Sequence, residues 1–281
     1  MSGLEAGLLR EVAAAWPLKK APLVQCITNE ITCESLANAL LYVDAKPVMA
    51  DDIREFDEFF AQNDAVLLNL GHITDGKEQA LQAAARYAAA TGTPAVVDLV
   101  GVAATRLRYD LAWQLWESGP QVIKGNLSEM RRFCGLSSAA RGVDGNAADQ
   151  EAAALAELAA AMQEICRRRP LLLLATGPQD LVVTANCSLK LANGVLQLDR
   201  FTGTGDIVGS LIAALLGEGL APLPATVAAV SYFNLCGEAA VAVVTGKGQG
   251  LAAFRQETLD RLSLLMEDKQ WWQKICGEEF L

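Results

Sequence analysis

The sequence predicts an α/β fold in which a mostly parallel central sheet is covered by helices on both faces. Three observations predict it. Short runs rich in Val, Leu and Ile alternate with longer Ala- and Leu-rich stretches, the order that strand–helix–strand units produce. The short runs are apolar throughout, as strands buried on both faces are. At 281 residues, just over half of them hydrophobic, the chain can bury a core of the required size.

In chain order, residues 23–28, 65–70, 95–100, 121–124 and 171–176 read as buried strands. Helical length and spacing occur between them, over 34–43, 77–90, 109–116 and 147–168. The segment 137–149 (SSAARGVDGNAAD) reads as an exposed loop. Near the last third the pattern changes. Residues 181–184, 188–192 and 195–198 alternate in polarity, and Asn193-Gly194 carries the signal of a hairpin turn. After them, 206–217, 224–244 and 251–266 have helical character only. No linker-like composition and no internal repeat interrupts the chain, so one domain spanning 1–281 is expected.

The formal net charge is -10 and the acidic residues are scattered. Nucleic acid and anionic membranes need a basic face, so neither is an expected partner. A protein this acidic can still bind ATP, provided that a metal ion, helix N-termini and a few placed cations neutralise the phosphates. Seven dispersed cysteines with no CxxC pair argue against a disulfide framework or a zinc site; most are expected to be small buried apolar groups. Residues 1–17 contain Glu5 and Glu11 and lack a basic region followed by an apolar run, so they do not read as a signal peptide. The apolar stretch 207–221 is too short for a membrane span and contains Glu218. A cytoplasmic location is expected. His72 is the sole histidine, which excludes a His-based triad, and the absence of GxGxxG after any strand argues against a dehydrogenase.

Four segments can carry chemistry. The sharpest is Phe201-Thr202-Gly203-Thr204-Gly205-Asp206, at the start of an apolar helix. Its glycines let the backbone turn tightly, and the helix offers free N–H groups and a positive dipole end, which together make an anion site. Asp206 at the mouth of that site can accept a proton from a substrate hydroxyl during phosphoryl transfer, or can simply be the helix N-cap. The second segment is Ile123-Lys124-Gly125-Asn126-Leu127-Ser128-Glu129. Lys124 can meet phosphate and Glu129 can hold a metal ion through water, while Asn126 and Glu129 also fit a capping box. Third, Asp98 ends an apolar strand, at the sheet edge where ligands of open α/β sheets gather. Fourth, Thr176-Gly177 ends another strand in a hydroxyl and a turn glycine, which also suits an ordinary turn.

With these residues in view, the chain resembles the hydroxyethylthiazole kinases of the ribokinase-like superfamily. The resemblance is carried by PLVQCITN (22–29), KPVMA (46–50), DLVGVAAT (98–105), VIKGNLSEM (122–130), RGVD (141–144), ATG (175–177) and FTGTGD (201–206). It implies a ribokinase-like three-layer fold and a homotrimer with active sites at subunit interfaces. It also implies Mg²⁺- and ATP-dependent phosphorylation of the hydroxyethyl group of 4-methyl-5-(2-hydroxyethyl)thiazole, in thiamine biosynthesis or salvage. On it, Met49, Gly203 and Asn29 meet the substrate, and Lys124, Thr176, Thr202 and Gly205 meet ATP. Asp98 and Glu129 organise Mg²⁺, and Asp206 is catalytic.

The chain departs from the family pattern in three places. The family often has Cys where this chain has Asp206, and DPVG where it has Asp98-Leu99-Val100-Gly101. Glu30 and Glu34 stand where relatives are mostly apolar or amide-bearing. These departures leave room for a kinase of another small heterocyclic alcohol, or for a non-catalytic nucleotide- or metabolite-binding relative.

Overall fold

The computed structural model describes residues 3–137 and 152–280. Among them, nine strands form one sheet: β1 (Leu23–Ile27), β2 (Lys46–Val48), β3 (Ala65–Asn69), β4 (Ala95–Asp98), β5 (Val122–Asn126), β6 (Leu172–Thr176), β7 (Asp180–Val183), β8 (Ser188–Leu191) and β9 (Gly277–Glu279). Across the sheet the order is β2-β1-β3-β4-β5-β6-β7-β8-β9. The strands β1 to β6 pair in parallel, and β7, β8 and β9 extend the sheet antiparallel.

Side chains alternate between two core layers, as the period of two in a strand requires. Val24, Cys26, Leu67, Val96, Val122 and Leu174 enter one layer, and Ile27, Leu68, Val97, Ile123 and Leu173 the other. The first layer is closed by α1 (Ala6–Ala13), α2 (Cys33–Tyr42), α8 (Thr204–Glu218), α9 (Pro222–Gly246) and α10 (Leu251–Leu264). The second lies under α3 (Phe56–Phe60), α4 (Asp75–Thr91), α5 (Arg106–Glu117), α6 (Leu127–Phe133) and α7 (Ala152–Arg168). The expected fold class, a mostly parallel sheet between two helical layers, is the one observed.

Helix α8 positions the site. Every residue from Asp206 to Leu216 is buried, because the helix lies between the sheet and its neighbours α2 and α9. Such a helix is apolar all round rather than amphipathic. Gly209 allows the close approach to the sheet. A Cβ there would stand 3.1 Å from Leu67 Cδ1 and 3.4 Å from Lys124 Cδ. The axis of α8 therefore sits directly over the side chains at the centre of the sheet, and its N-terminus opens at the edge where the parallel strands end.

Helix α9 is long and apolar enough to span a membrane by length and composition, and 67% of its apolar window is buried inside this chain. Its Tyr232 ring packs between Trp16, 5.0 Å away, and Trp271, 5.2 Å away. Trp271 thus belongs to this chain's own core, and Trp272 packs on the same core.

The end of the sheet differs from the expected hairpin at Asn193-Gly194. Strands β7 and β8 do pair, but they turn at residues 184–187, where Thr184 Oγ1 accepts from the N–H groups of Asn186 and Cys187. Of the run 195–198, Val195 is extended and the rest opens a 3-10 helix, Leu196–Arg200. Asn193 is tied elsewhere: its Nδ2 donates to Glu238 and to the Lys274 carbonyl, and its Oδ1 accepts from Cys276 N. Those bonds bring the C-terminal segment alongside β8 as β9, so the last third is not helical throughout. The short elements α1, β2 and α3 carry too few periodic residues to register in the sequence, and Pro47 within β2 suppresses its strand signal. Of the seven free cysteines, Cys26, Cys166 and Cys236 are buried, and the others are half-buried or exposed. The expected loop 137–149 lies, after Ser137, outside the described residues, as do RGVD and the first residues of the 147–168 helix.

Candidate active site

The C-terminal ends of β1, β3, β4 and β5 meet the N-terminus of α8, with β6 beside β5. Gly203 caps that helix with φ +97°, a left-handed conformation in which a Cβ would also stand 2.8 Å from Thr32 Cγ2. The first N–H groups of the helix have no intrahelical carbonyl to meet, the feature that the expected anion site needs. Thr202 at its rim is exposed, and Gly203, Thr204 and Gly205 are half-buried.

Asp206 is not the N-cap. It is the third residue of α8, it is buried, and its side chain makes no capping bond to the helix end. Its Oδ2 accepts from Asn29 Nδ2 at 2.9 Å and from Thr32 Oγ1 at 2.5 Å. Asn29 follows β1, and its own Oδ1 accepts from Thr32 N at 3.1 Å. The capping alternative fails because Gly203, three residues before Asp206, is the N-cap, and the Asp206 side chain bonds to Asn29 and Thr32 instead.

Lys124 lies beneath the same helix start. Its Nζ donates to Asp98 Oδ2 at 2.7 Å, and both side chains are at most 2% exposed. A Cβ on Gly205 would stand 3.3 Å from that ammonium, which places the cation against the first turn of α8. Burial raises the Asp98 pKa to about 6; Lys124 opposes the rise, and the nearby Asp206 carboxylate adds to it. Asn69, at the end of β3, accepts from Gly71 N at 2.7 Å and reaches toward Asp98 Oδ2 at 3.5 Å.

Glu129 and Asn126 do form the capping box of α6. Glu129 Oε2 accepts from Asn126 N at 2.8 Å, and Oε1 accepts from Gly101 N at 2.7 Å, so one carboxylate joins the loops after β4 and β5. Burial, with Asp98 nearby, raises the Glu129 pKa to about 7 against the pull of those two N–H groups. Leu99, where the family pattern has proline, donates its N–H to the Lys124 carbonyl at 2.8 Å and buries its side chain fully. The loop is held by a bond that proline could not make.

Thr176 ends β6 opposite Asn126, and its hydroxyl reaches Gly125 O at 3.4 Å. The next residue is fixed by Asp180, whose Oδ1 accepts from Gly177 N at 2.9 Å while Oδ2 accepts from Asn234 of α9, also at 2.9 Å. Met49 is half-buried against the core beyond the edge strand β2. Glu30 and Glu34 are exposed, and the side chain of that segment that reaches Asp206 is Thr32 between them. His72 is exposed with φ 51°.

The sequence reading missed Thr32, Asn69 and Asp180. Asn69 and Asp180 carried a usable signal, a polar residue inside or beside an apolar strand, the same signal that exposed Asp98. A cavity of about 180 Å³ between α4 and α5 lies at the opposite edge, near Gly92 and Pro120, and its lining holds no charged side chain.

The site can hold a hydrated cation. Asp98 Oδ1 is buried with no hydrogen-bond partner among the described residues, so this oxygen could accept from a metal-bound water. Among the described residues no group of three or more His, Cys, Asp or Glu could bind a metal by itself. Mg²⁺ suits such a site, because it keeps several waters and takes its other ligands from phosphates.

A family model described as the hydroxyethylthiazole kinase family matches residues 18–268. A hydroxyethylthiazole kinase of Lacticaseibacillus casei is 62% identical over 265 residues, covering 94% of each chain. The solved structure of a hydroxyethylthiazole kinase protein from Pyrococcus horikoshii superposes with a TM-score of 0.82 at 27% identity, over 98% of this chain and 99% of that one. A ribokinase-like superfamily protein from Enterococcus faecalis matches with a TM-score of 0.60 at 14% identity, over 96% of each chain, a likeness of fold alone.

Proposed function

The chain belongs to the hydroxyethylthiazole kinase family, and on that premise we propose that it transfers the γ-phosphoryl group of ATP to the hydroxyethyl oxygen of 4-methyl-5-(2-hydroxyethyl)thiazole, in thiamine biosynthesis or salvage. The observation that carries the mechanism is the state of Asp206. It is buried beside an anion-binding helix end, does not cap that helix, and is held by two donors from another segment. A carboxylate beside phosphate is electrostatically unfavourable unless it takes part in the reaction.

In this reading the alcohol oxygen attacks the γ-phosphorus, its proton passes to Asp206, and the bond from phosphorus to the β–γ bridging oxygen breaks to release ADP. The α8 N-terminus and Lys124 stabilise charge on the phosphoryl oxygens as the bond changes, and their fixed positions spare the reorganisation that water would need. Mg²⁺, organised by Asp98 and through water by Glu129, supplies further neutralisation of the triphosphate when bound. Thr176, Thr202 and Gly205 meet ATP; Met49, Gly203 and Asn29 meet the thiazole. The reading includes a single domain over 1–281, a cytoplasmic enzyme, and a homotrimer with active sites at subunit interfaces. The 74% exposed Ile31, next to Thr32, suits a place in such an interface.

A substrate panel tests the choice of alcohol. The highest kcat/KM is expected with hydroxyethylthiazole, at least about tenfold above a hydroxymethylpyrimidine or pyridoxal, since a site matched to one alcohol discriminates by about this much or more. A higher kcat/KM on either of the others would assign the enzyme to a different branch of the superfamily.

A further inference from the structure

We infer that Thr32 is a positioning residue that fixes the carboxylate of Asp206 for proton transfer; the inference rests on the reading of Asp206 as the base. Thr32 occupies the N-cap position of α2, yet its side chain makes no capping bond to that helix. Threonine at an N-cap ordinarily accepts from the second or third N–H of its own helix. Here the hydroxyl is turned away and donates to Asp206 Oδ2 at 2.5 Å, from a residue only 2% exposed.

The same side chain touches α8 at a second point. Its methyl group Cγ2 lies where a Cβ on Gly203 would come within 2.8 Å, so Thr32 packs against the cap glycine as well as bonding to the third residue of that helix. Asn29 completes the hold: Nδ2 donates to the same Oδ2, and Oδ1 accepts from Thr32 N. Both donors therefore fall on Oδ2. They fix the carboxylate rotation and leave Oδ1 as the oxygen that neither Asn29 nor Thr32 engages. A base must be held in hydrogen-bond reach of the proton that it takes, and a carboxylate gripped by one oxygen is oriented without being used up.

A carboxylate can rotate to exchange its two oxygens, and the hydroxyl of Thr32 supplies one of the two donors that hold it. Glu30 and Glu34, the conspicuous changes in the same segment, are exposed to either side.

The test is a set of variants measured for kcat and for KM of ATP and of the thiazole alcohol. Thr32→Val keeps the branched shape against Gly203 and removes the hydroxyl. It is expected to lower kcat by about ten- to a hundredfold, the range for a hydrogen bond to a charged group, with KM for ATP within about twofold. Thr32→Ser restores the hydroxyl and is expected to recover kcat to within about threefold of the parent. In an Asp206→Asn background, Thr32→Val is expected to add no further loss, because the two residues act as one unit. If Thr32→Val runs within about twofold of the parent while Asp206→Asn is slow, the inference fails and the base assignment stands. Thr32→Ser as slow as Thr32→Val would overturn it too, since packing and not the hydroxyl would then matter. Asp206→Asn within about tenfold of the parent removes the base reading and the inference together.

Discussion

Asp206→Asn is expected to slow phosphoryl transfer by roughly 10²–10⁴-fold in kcat, the usual contribution of a general base. The substitution is nearly isosteric, and the asparagine carbonyl oxygen can still accept from Asn29 and Thr32. The joint between the α2 and α8 helix starts should therefore survive, and the thermal unfolding midpoint should stay within about 4 °C of the parent, a shift of roughly 1 kcal/mol or less in a chain of this size. What the variant cannot do is take a proton. Because Gly203 and not Asp206 caps α8, a loss confined to kcat cannot be ascribed to a frayed helix. Stopped assays of ADP formation, with calorimetric melting of the same preparation, read the two quantities. A loss below tenfold in a protein of unchanged stability would contradict the assignment.

The second large effect belongs to Lys124. Removing one partner of a buried ion pair leaves an uncompensated charge, which costs about 3–5 kcal/mol. Lys124→Met should approach that range in urea denaturation, since Asp98 and Lys124 are both almost wholly buried and face each other at 2.7 Å. Asp98 is already pushed up to about 6 with the ammonium beside it. Without the ammonium it rises further, so its protonation at neutral pH relieves part of the cost. The double variant Lys124→Met, Asp98→Asn should regain most of the stability and none of the activity. On the proposed reading, phosphoryl transfer then lacks both the cation under the α8 start and the carboxylate proposed to organise Mg²⁺. Recovery of activity along with stability would show that the pair serves the fold alone.

The parallel half of the molecule was legible because its strands are uniformly apolar and its helices long. Asp98, Lys124, Glu129 and Asp206 stood out for a related reason: each is a charge at the end of a strand or the start of a helix. Their mutual arrangement was not legible. A capping box can be recognised at Asn126 and Glu129, but not that Glu129 also binds Gly101 N, because that bond joins loops far apart in sequence. Whether Asp206 caps α8 was ambiguous in the sequence until the left-handed Gly203 fixed where the helix begins. Thr32 carries no signal of its own. A threonine before a helix announces a cap, and only the crossing of α2 and α8 turns its hydroxyl to another task. The edge formed by β9 was hidden for a similar reason, since its register depends on Asn193 holding a segment some eighty residues away.

The central claim, an alcohol kinase acting on the thiazole through Asp206, is tested most directly by the product. Purified protein is incubated with ATP, Mg²⁺ and 4-methyl-5-(2-hydroxyethyl)thiazole, and phosphorus NMR with mass spectrometry follows both products over time. The phosphate monoester of the thiazole alcohol should appear in equal amount with ADP, and both should nearly vanish with Asp206→Asn. ADP released with inorganic phosphate and no ester, or folded protein that binds ATP and forms neither product, would contradict it.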